Sequence, residues 1–351
     1  MKVVVCGATG NVGTSVVEQL SLDPGFTEIV AVARRAPGQA LGRSRFVSAD
    51  IAADDLTGIF EGASAVVHLA WLIQPGRDET TTSRVNVEGS RRVFAAAVAA
   101  GVPALVYASS VGAYSPGPKD RRIDESWSTQ GIPTSFYSRH KVLVERQLDA
   151  LEREQPRMRI VRLRPGLIFK RSAATEIRRL FAGPLLPTSL LRSRLAPFAP
   201  DVPGLRFQAV HSDDVGDAYR RACTTDVTGA FNIAADPVID VGELARLMHV
   251  RRRLRIPQGV VRVAAAATYG LRLQPAEPGW VDLALEVPLM SIERAHRELG
   301  WEATRSASEA LAELVAGMRE GADDGRTAPL SRATSGPGRA HEFLTGLGAR
   351  Q

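Results

Sequence analysis

KVVVCGATGNVG, residues 2–13, is the stretch that decides the fold. A short β-branched run passes directly into Gly7-Ala8-Thr9-Gly10-Asn11-Val12-Gly13, and Ser15–Leu22 behind it is amphipathic. Glycine lets the chain turn tightly and lets a backbone approach phosphates. A helix N-terminus adds free N–H groups and a positive dipole end. With 31 glycines in 351 residues the G-x-x-G-x-x-G spacing is weak alone. A strand before it and a helix after it make it a dinucleotide-binding signature. Without that ligand the same loop would be a plain strand–helix turn.

Further along, Ile29–Ala33, Arg45–Ser48, Ala65–Leu69, Ala104–Ala108 and Arg159–Leu163 are short apolar runs. They alternate with helical patterns at Asp55–Phe60, Thr82–Ala100 and Ser138–Glu154. Continuous apolar strands between helices predict a parallel sheet covered on both faces, an α/β protein of the Rossmann-type doubly wound class. After Pro165 a proline-rich stretch, 183–205, predicts a smaller C-terminal substrate-binding lobe. The expected organisation is a dinucleotide-binding domain over 1–165, rejoined by 206–235. A substrate lobe covers most of 166–318, and 319–351 is a tail without structure. Phe207–His211 and Ala230–Ile233 are further strand candidates, and Ile239–His249 and Ser306–Met318 are helix candidates.

Composition narrows the function. No apolar run reaches the roughly 18–20 residues of a membrane span, and the N-terminus lacks a secretory h-region. Two cysteines, Cys6 and Cys223, cannot build a disulfide framework, so a cytoplasmic location is expected. The six histidines show no paired ligand spacing, and no metal site is expected. The formal charge is +6, from 40 arginines and 4 lysines against 38 acidic residues. Arginine is spread along the chain, no zinc-finger or RNA-binding signature accompanies it, and clusters such as Arg251-Arg252-Arg253 read as solvated faces. Neither a nucleic-acid nor a membrane partner is expected.

Two features address the chemistry. Arg34-Arg35 stands 21 residues after Gly13, at the end of the second strand, with no acidic residue between Ile29 and Gln39. A carboxylate there would serve the 2′-hydroxyl of NAD, whereas guanidinium pairs with the 2′-phosphate of NADP, so NADP is expected, with NAD as the alternative. Tyr137-Ser138-Arg139-His140-Lys141 places a phenol and one of only four lysines one helical turn apart. A nearby ammonium stabilises phenolate, so a lowered Tyr137 pKa is expected. Upstream, Ala108-Ser109-Ser110 ends a strand, where open α/β sheets bind ligands.

With these motifs in place the chain resembles the extended short-chain dehydrogenase/reductase superfamily over roughly residues 1–318. The resemblance is carried by GATGNVG (7–13), Asp50-Ile51, His68-Leu69-Ala70, Asn86, YASSVGAY (107–114), YSRHK (137–141), Arg164-Pro165-Gly166, VHSDDVGDA (210–218) and RELGW (297–301). It implies Ser110, Tyr137 and Lys141 as catalytic residues. Asp50 and Ile51 would flank adenine, Leu69, Ala70 and Ala108 would line the cleft, and Pro165, Gly166 and Leu167 would lie near the nicotinamide. Asn86 would tie strands together, and His211–Asp214 would form a polar corner between lobes. It also implies a homodimer through the helices near Thr82–Ala100 and Ser138–Glu154. Ser110-Val111-Gly112 replaces the Thr-Asp-Glu run of the dehydratases. Phe207 stands where sugar-nucleotide epimerases place a pyrophosphate-binding arginine, with Arg206 one residue off. The expected activity is hydride transfer between nicotinamide and a secondary alcohol or ketone of a small molecule. The alternatives are a nucleotide-sugar epimerase and a non-catalytic dinucleotide sensor.

Overall fold

Alternating side chains of β1 (Lys2–Cys6) explain the centre of the molecule: both faces of the strand are apolar and both are buried. A computed structural model describes residues 1–73, 77–181, 199–247, 250, 252–274 and 276–331. Val3 and Val5 pack under α1 (Asn11–Leu22), while Val4 and Cys6 join Val93, Leu105 and Leu148 on the other face. β2 (Glu28–Ala33) and β3 (Arg45–Ser48) extend the sheet on one side of β1. β4 (Ala65–His68), β5 (Ala104–Ala108), β7 (Arg159–Pro165) and β11 (Gly229–Ile233) extend it on the other. The spatial order is β11-β7-β5-β4-β1-β2-β3, and every pair is parallel. This is the doubly wound sheet the sequence predicts, with its chain reversal between β1 and β4.

The layers above and below hold α2 (Thr57–Phe60), α3 (Glu79–Ser83), α4 (Gly89–Ala99) and α5 (Phe136–Glu154). The helix predicted over Thr82–Ala100 is interrupted by a π-turn, Arg84–Glu88. Asn86 sits in that turn and holds Leu72 at both ends: the Leu72 amide donates to its Oδ1 (2.7 Å), and its Nδ2 donates to the Leu72 carbonyl (2.8 Å). It therefore fixes the loop after β4 rather than tying two strands, because its side chain reaches past the strand end.

A second sheet of β8 (Leu167–Phe169), β10 (Phe207–His211) and β12 (Ala235–Ile239) lies beside the first. The expected polar corner at His211–Asp214 is the start of a helix, α7 (Ser212–Thr224), which follows α6 (Ala174–Phe181) in the chain. Its first turn does join distant segments. Ser15 donates to Asp213 (2.8 Å), and the backbone amides of Thr304 and Arg305 donate to Asp214 (3.1 and 3.2 Å). The remaining strands form two small pairs, β6 (Arg122–Ile123) with β14 (Leu289–Met290) and β9 (Ala199–Asp201) with β13 (Arg253–Arg255). The remaining helices are α8 (Val241–Leu247), α9 (Gln258–Gly270), α10 (Gly279–Glu286), α11 (Glu293–Leu299) and α12 (Ala307–Glu320). Most of the proline-rich stretch, residues 182–198, lies outside the described residues.

The tail expectation needs correction for its first part. α12 runs to Glu320, and the chain continues back onto α1: Leu330 and Thr327 are buried, and the Gly38 amide donates to the Arg326 carbonyl (2.6 Å). Arg326 also pairs with Glu18 (3.0 Å) and Asp324 (2.8 Å). Composition missed this because scattered polar residues, not an apolar period, anchor the segment. Residues 332–351 lie outside the described residues.

Candidate active site

The glycine loop turns at the C-terminal end of β1. Gly7 has φ +88°, and a Cβ there would lie 2.6 Å from the Ala70 nitrogen. A Cβ on Gly13 would lie 2.2 Å from the Gly7 carbonyl oxygen, so only glycine lets α1 close on its own loop. Gly10, by contrast, is uncrowded: a Cβ there would make only an ordinary contact, 3.6 Å from the Gly7 carbonyl oxygen. It caps α1 without any side-chain hydrogen bond. The first-turn N–H groups at Asn11 and Val12 thus face a cradle suited to a pyrophosphate. Thr9 is buried in the same turn, and Leu69 and Ala70 are half-buried across it at the end of β4. The donor set fits a dinucleotide.

Arg34 and Arg35 are exposed at the end of β2. Asp50 and Ile51 follow β3. The Asp50 carboxylate accepts from the Ala52 amide (3.0 Å), and Ile51 is buried against Gly89. The Arg326 segment, bonded to Gly38, reaches the same rim and was invisible to sequence reasoning.

At the C-terminal end of β5, Ser110 accepts from the Gly112 amide (3.0 Å) and is buried. α5 starts just before Tyr137, capped by Ser135, whose hydroxyl accepts from the Ser138 amide. That start presents the Tyr137 ring against Gly112, where a Cβ would meet the ring at 3.0 Å. Ser110 and Tyr137 are hydrogen-bonding neighbours, and this pulls the phenol pKa down. Burial outweighs it and pushes Tyr137 up to about 12. The lowered phenol pKa expected from the Tyr–Lys spacing is therefore not reached by the protein alone. Lys141 lies 5.7 Å from the centre of the Tyr137 ring and is held by other partners. Its Nζ donates to the Ala108 carbonyl (2.6 Å) and lies 3.5 Å from the centre of the Trp71 ring. Burial holds its own pKa well below the ordinary lysine value, partly opposed by Glu145.

Aromatic rings wall the phenol. Trp280 of α10 stacks on Tyr137 at 5.1 Å and 36°, and Trp71 meets it edge-on at 5.9 Å. Ile132, Leu283 and Val287 complete an apolar cluster with Val111 and Tyr137. Trp280 lies 143 residues after Tyr137 in the chain, so only folding brings it here.

Beneath the site, Glu145 continues the Tyr137–Lys141 face of α5 by one turn. It accepts from Ser109 (2.5 Å), from Arg162 (3.0 Å) and bidentately from Arg164 (2.9 and 2.8 Å). Arg164 also reaches the Tyr114 hydroxyl (3.0 Å), which donates to Asn232 (2.7 Å). Burial alone would raise the Glu145 pKa, but the two guanidiniums and Ser109 bring it down to about 2. The network fixes β5, β7 and α5 in one register, and with them the residues at the β5 end. Sequence reasoning did not single out Glu145, for which the i, i+4, i+8 spacing from Tyr137 was the available signal; Ser109, read at the strand end beside Ser110, turns to Glu145.

Pro165 closes β7, the Gly166 amide donates to the Ile233 carbonyl (3.0 Å), and Leu167 is exposed beside it. Arg206 donates to the Lys119 carbonyl, whose ammonium in turn holds the Arg206 carbonyl (2.9 Å), and Phe207 packs into the second sheet's core. Among the described residues no cluster of three His, Cys, Asp or Glu side chains could hold a metal ion, and no helix is long and apolar enough to cross a membrane.

Comparison with known proteins gives the fold and the family. An uncharacterised Mycobacterium tuberculosis protein is 28% identical over 280 residues, covering 77% of this chain and 70% of its own. The L-arabinose 1-dehydrogenase (NAD(P)(+)) of Haloferax volcanii is 36% identical over 110 residues, 31% of this chain and 41% of its own. The UDP-glucose-4-epimerase of Stenotrophomonas maltophila, solved with NAD and formylated UDP-arabinopyranose, superposes with a TM-score of 0.69. It is 21% identical and covers 91% of this chain and 98% of its own, which shows a shared fold. Residues 3–234 match a single family description, and with the Rossmann sheet in hand the conclusion is that the chain belongs to the NAD dependent epimerase/dehydratase family.

Proposed function

We propose that this protein is an NADP(H)-dependent oxidoreductase acting on a secondary alcohol or ketone. The observation that carries the reading is the convergence of Ser110, Tyr137 and Lys141 at the C-terminal end of β5, beneath apolar aromatic walls. A bound nicotinamide supplies the hydride acceptor or donor. In the oxidative direction the carbinol carbon loses hydride while Tyr137 takes the hydroxyl proton. Ser110 orients that oxygen. Lys141, released from Ala108 and the Trp71 face, would bind the nicotinamide ribose and stabilise phenolate. Gly7, Gly10, Asn11 and Val12 would hold the pyrophosphate, and Asp50 and Ile51 the adenine.

Epimerisation of a nucleotide sugar would use the same three residues. It is favoured by the UDP-sugar epimerases among the structural neighbours. Against it, Phe207 occupies the position of the pyrophosphate-binding arginine, and Arg206 is engaged with Lys119. The test is a panel of secondary alcohols and UDP-sugars, with absorbance of the reduced nicotinamide as the readout. Stoichiometric nicotinamide reduction supports the oxidoreductase. Sugar inversion without net nicotinamide change would replace it with the epimerase.

The exposed pair at the end of β2 supports NADP over NAD. Titration should show tighter binding of NADP(H), and Arg34→Asp with Arg35→Ala should weaken it at least tenfold with little effect on NAD binding. Identical titration curves for the two cofactors in the unaltered protein would overturn this preference.

A further inference from the structure

Residues 251–274, RRRLRIPQGVVRVAAAATYGLRLQ, contain six arginines and no acidic residue. They hold the entire formal charge of the chain, since the rest carries 38 basic against 38 acidic residues. The same stretch holds an unusual helix. No residue of α9 is buried, although ten of its thirteen residues are apolar or glycine. Its outward positions are Val260, Val263, Ala264 and Ala267, continued by Leu271, at the 3-and-4 spacing of one helical face. Val260, Val263 and Leu271 are 56%, 69% and 71% exposed. Of the nine large apolar side chains exposed among the described residues, five fall between 254 and 273. A surface helix in water normally turns such a face inward. Here the helix is held in the opposite sense: Arg262 pairs with Asp282 of α10 (2.8 Å), and Arg77 lies over the Tyr269 ring (3.9 Å).

We propose that this face docks the protein peripherally on an anionic lipid surface. Val260, Val263 and Leu271 would enter the acyl boundary, and the exposed Arg252, Arg253 and Arg255 would meet lipid phosphates. Guanidinium pairs bidentately with phosphate, and the missing carboxylates remove the repulsion that an acidic bilayer would impose. A second copy of the chain fits poorly, because a two-fold contact would set this all-basic stretch against itself. The expectation of no membrane partner rested on the absence of a spanning segment, and peripheral docking needs none. The docking goes beyond the redox reading and rests on none of its residues.

The test is flotation of the full chain with vesicles of phosphatidylcholine alone, or of phosphatidylcholine mixed with phosphatidylglycerol. The protein should float only with the anionic vesicles, and less so as salt is raised. Val263→Asp with Leu271→Asp, and separately Arg252→Ser with Arg253→Ser and Arg255→Ser, should each lower vesicle binding at least tenfold. The thermal midpoint should stay unchanged, since all five side chains are exposed. Failure to float with either vesicle, or flotation of both variants equal to that of the unaltered chain, would overturn the proposal. So would retention on duplex DNA in place of vesicles, or a dimer that Val263→Asp dissociates without any effect on vesicle binding.

Discussion

Tyr137→Phe should lower turnover by about 10²- to 10⁴-fold, the ordinary worth of general acid–base assistance, while cofactor titrations remain unchanged. The substitution removes the hydroxyl that exchanges the proton and leaves the ring between Trp71 and Trp280. Burial holds the phenol at about 12 in the protein alone, so oxidation, which needs phenolate, should accelerate on the alkaline side. Movement of the Lys141 ammonium toward the phenol would bring that limb down. Lys141→Met should therefore shift the limb to higher pH and weaken cofactor binding as well, a pair of effects that Tyr137→Phe lacks. Single-turnover rates across pH, with cofactor affinity measured alongside, separate the two. Comparable turnover by Tyr137→Phe on an identified substrate would defeat the catalytic assignment and favour a binding protein.

Glu145→Gln should destabilise the fold by about 3–5 kcal/mol, the usual consequence of breaking a buried ion pair on one side. Arg162 and Arg164 are both about 5% exposed and would lose their shared carboxylate. Denaturant unfolding at neutral pH measures the loss. The pH dependence gives a second readout. The folded-state pKa of Glu145 is about 2, below its ordinary value of 4.5, so its contribution is complete above about 4.5. It disappears as pH falls toward 2, because the folded state resists a proton that the unfolded chain accepts. Glu145→Gln should flatten that part of the acid limb. An unchanged midpoint with an unchanged acid limb would show that the network adds nothing net.

The apolar runs of residues 1–165 and the glycine loop made the parallel sheet legible, because period and turn chemistry are local. Strand limits came within one or two residues for the same reason. Tyr137 and Lys141 were legible because four residues on a helix is a fixed distance. Three things were not. The π-turn at Arg84–Glu88 has no compositional mark; it exists because Asn86 reaches the Leu72 backbone. The return of Arg326 to Gly38 rests on a few long-range hydrogen bonds that no periodicity encodes. The phenol's raised pKa comes from burial among Trp71, Trp280 and the Ile132 cluster, and those neighbours come from distant parts of the chain.

The parallel sheet, the glycine-rich cradle and the Tyr137–Lys141 pair were all readable from the chain before folding. The sheet and the cradle follow from local conformational preference, the Tyr137–Lys141 pair from fixed helical spacing, and Ser110 from the family resemblance. Tertiary structure alone decided which rings wall the phenol, which carboxylate holds Arg162 and Arg164, and which face of α9 meets the outside. Those depend on contacts between separate elements, from 17 positions apart for Glu145 and Arg162 to 143 for Tyr137 and Trp280, or on which side of a helix a neighbouring element covers, and sequence spacing carries no information about either.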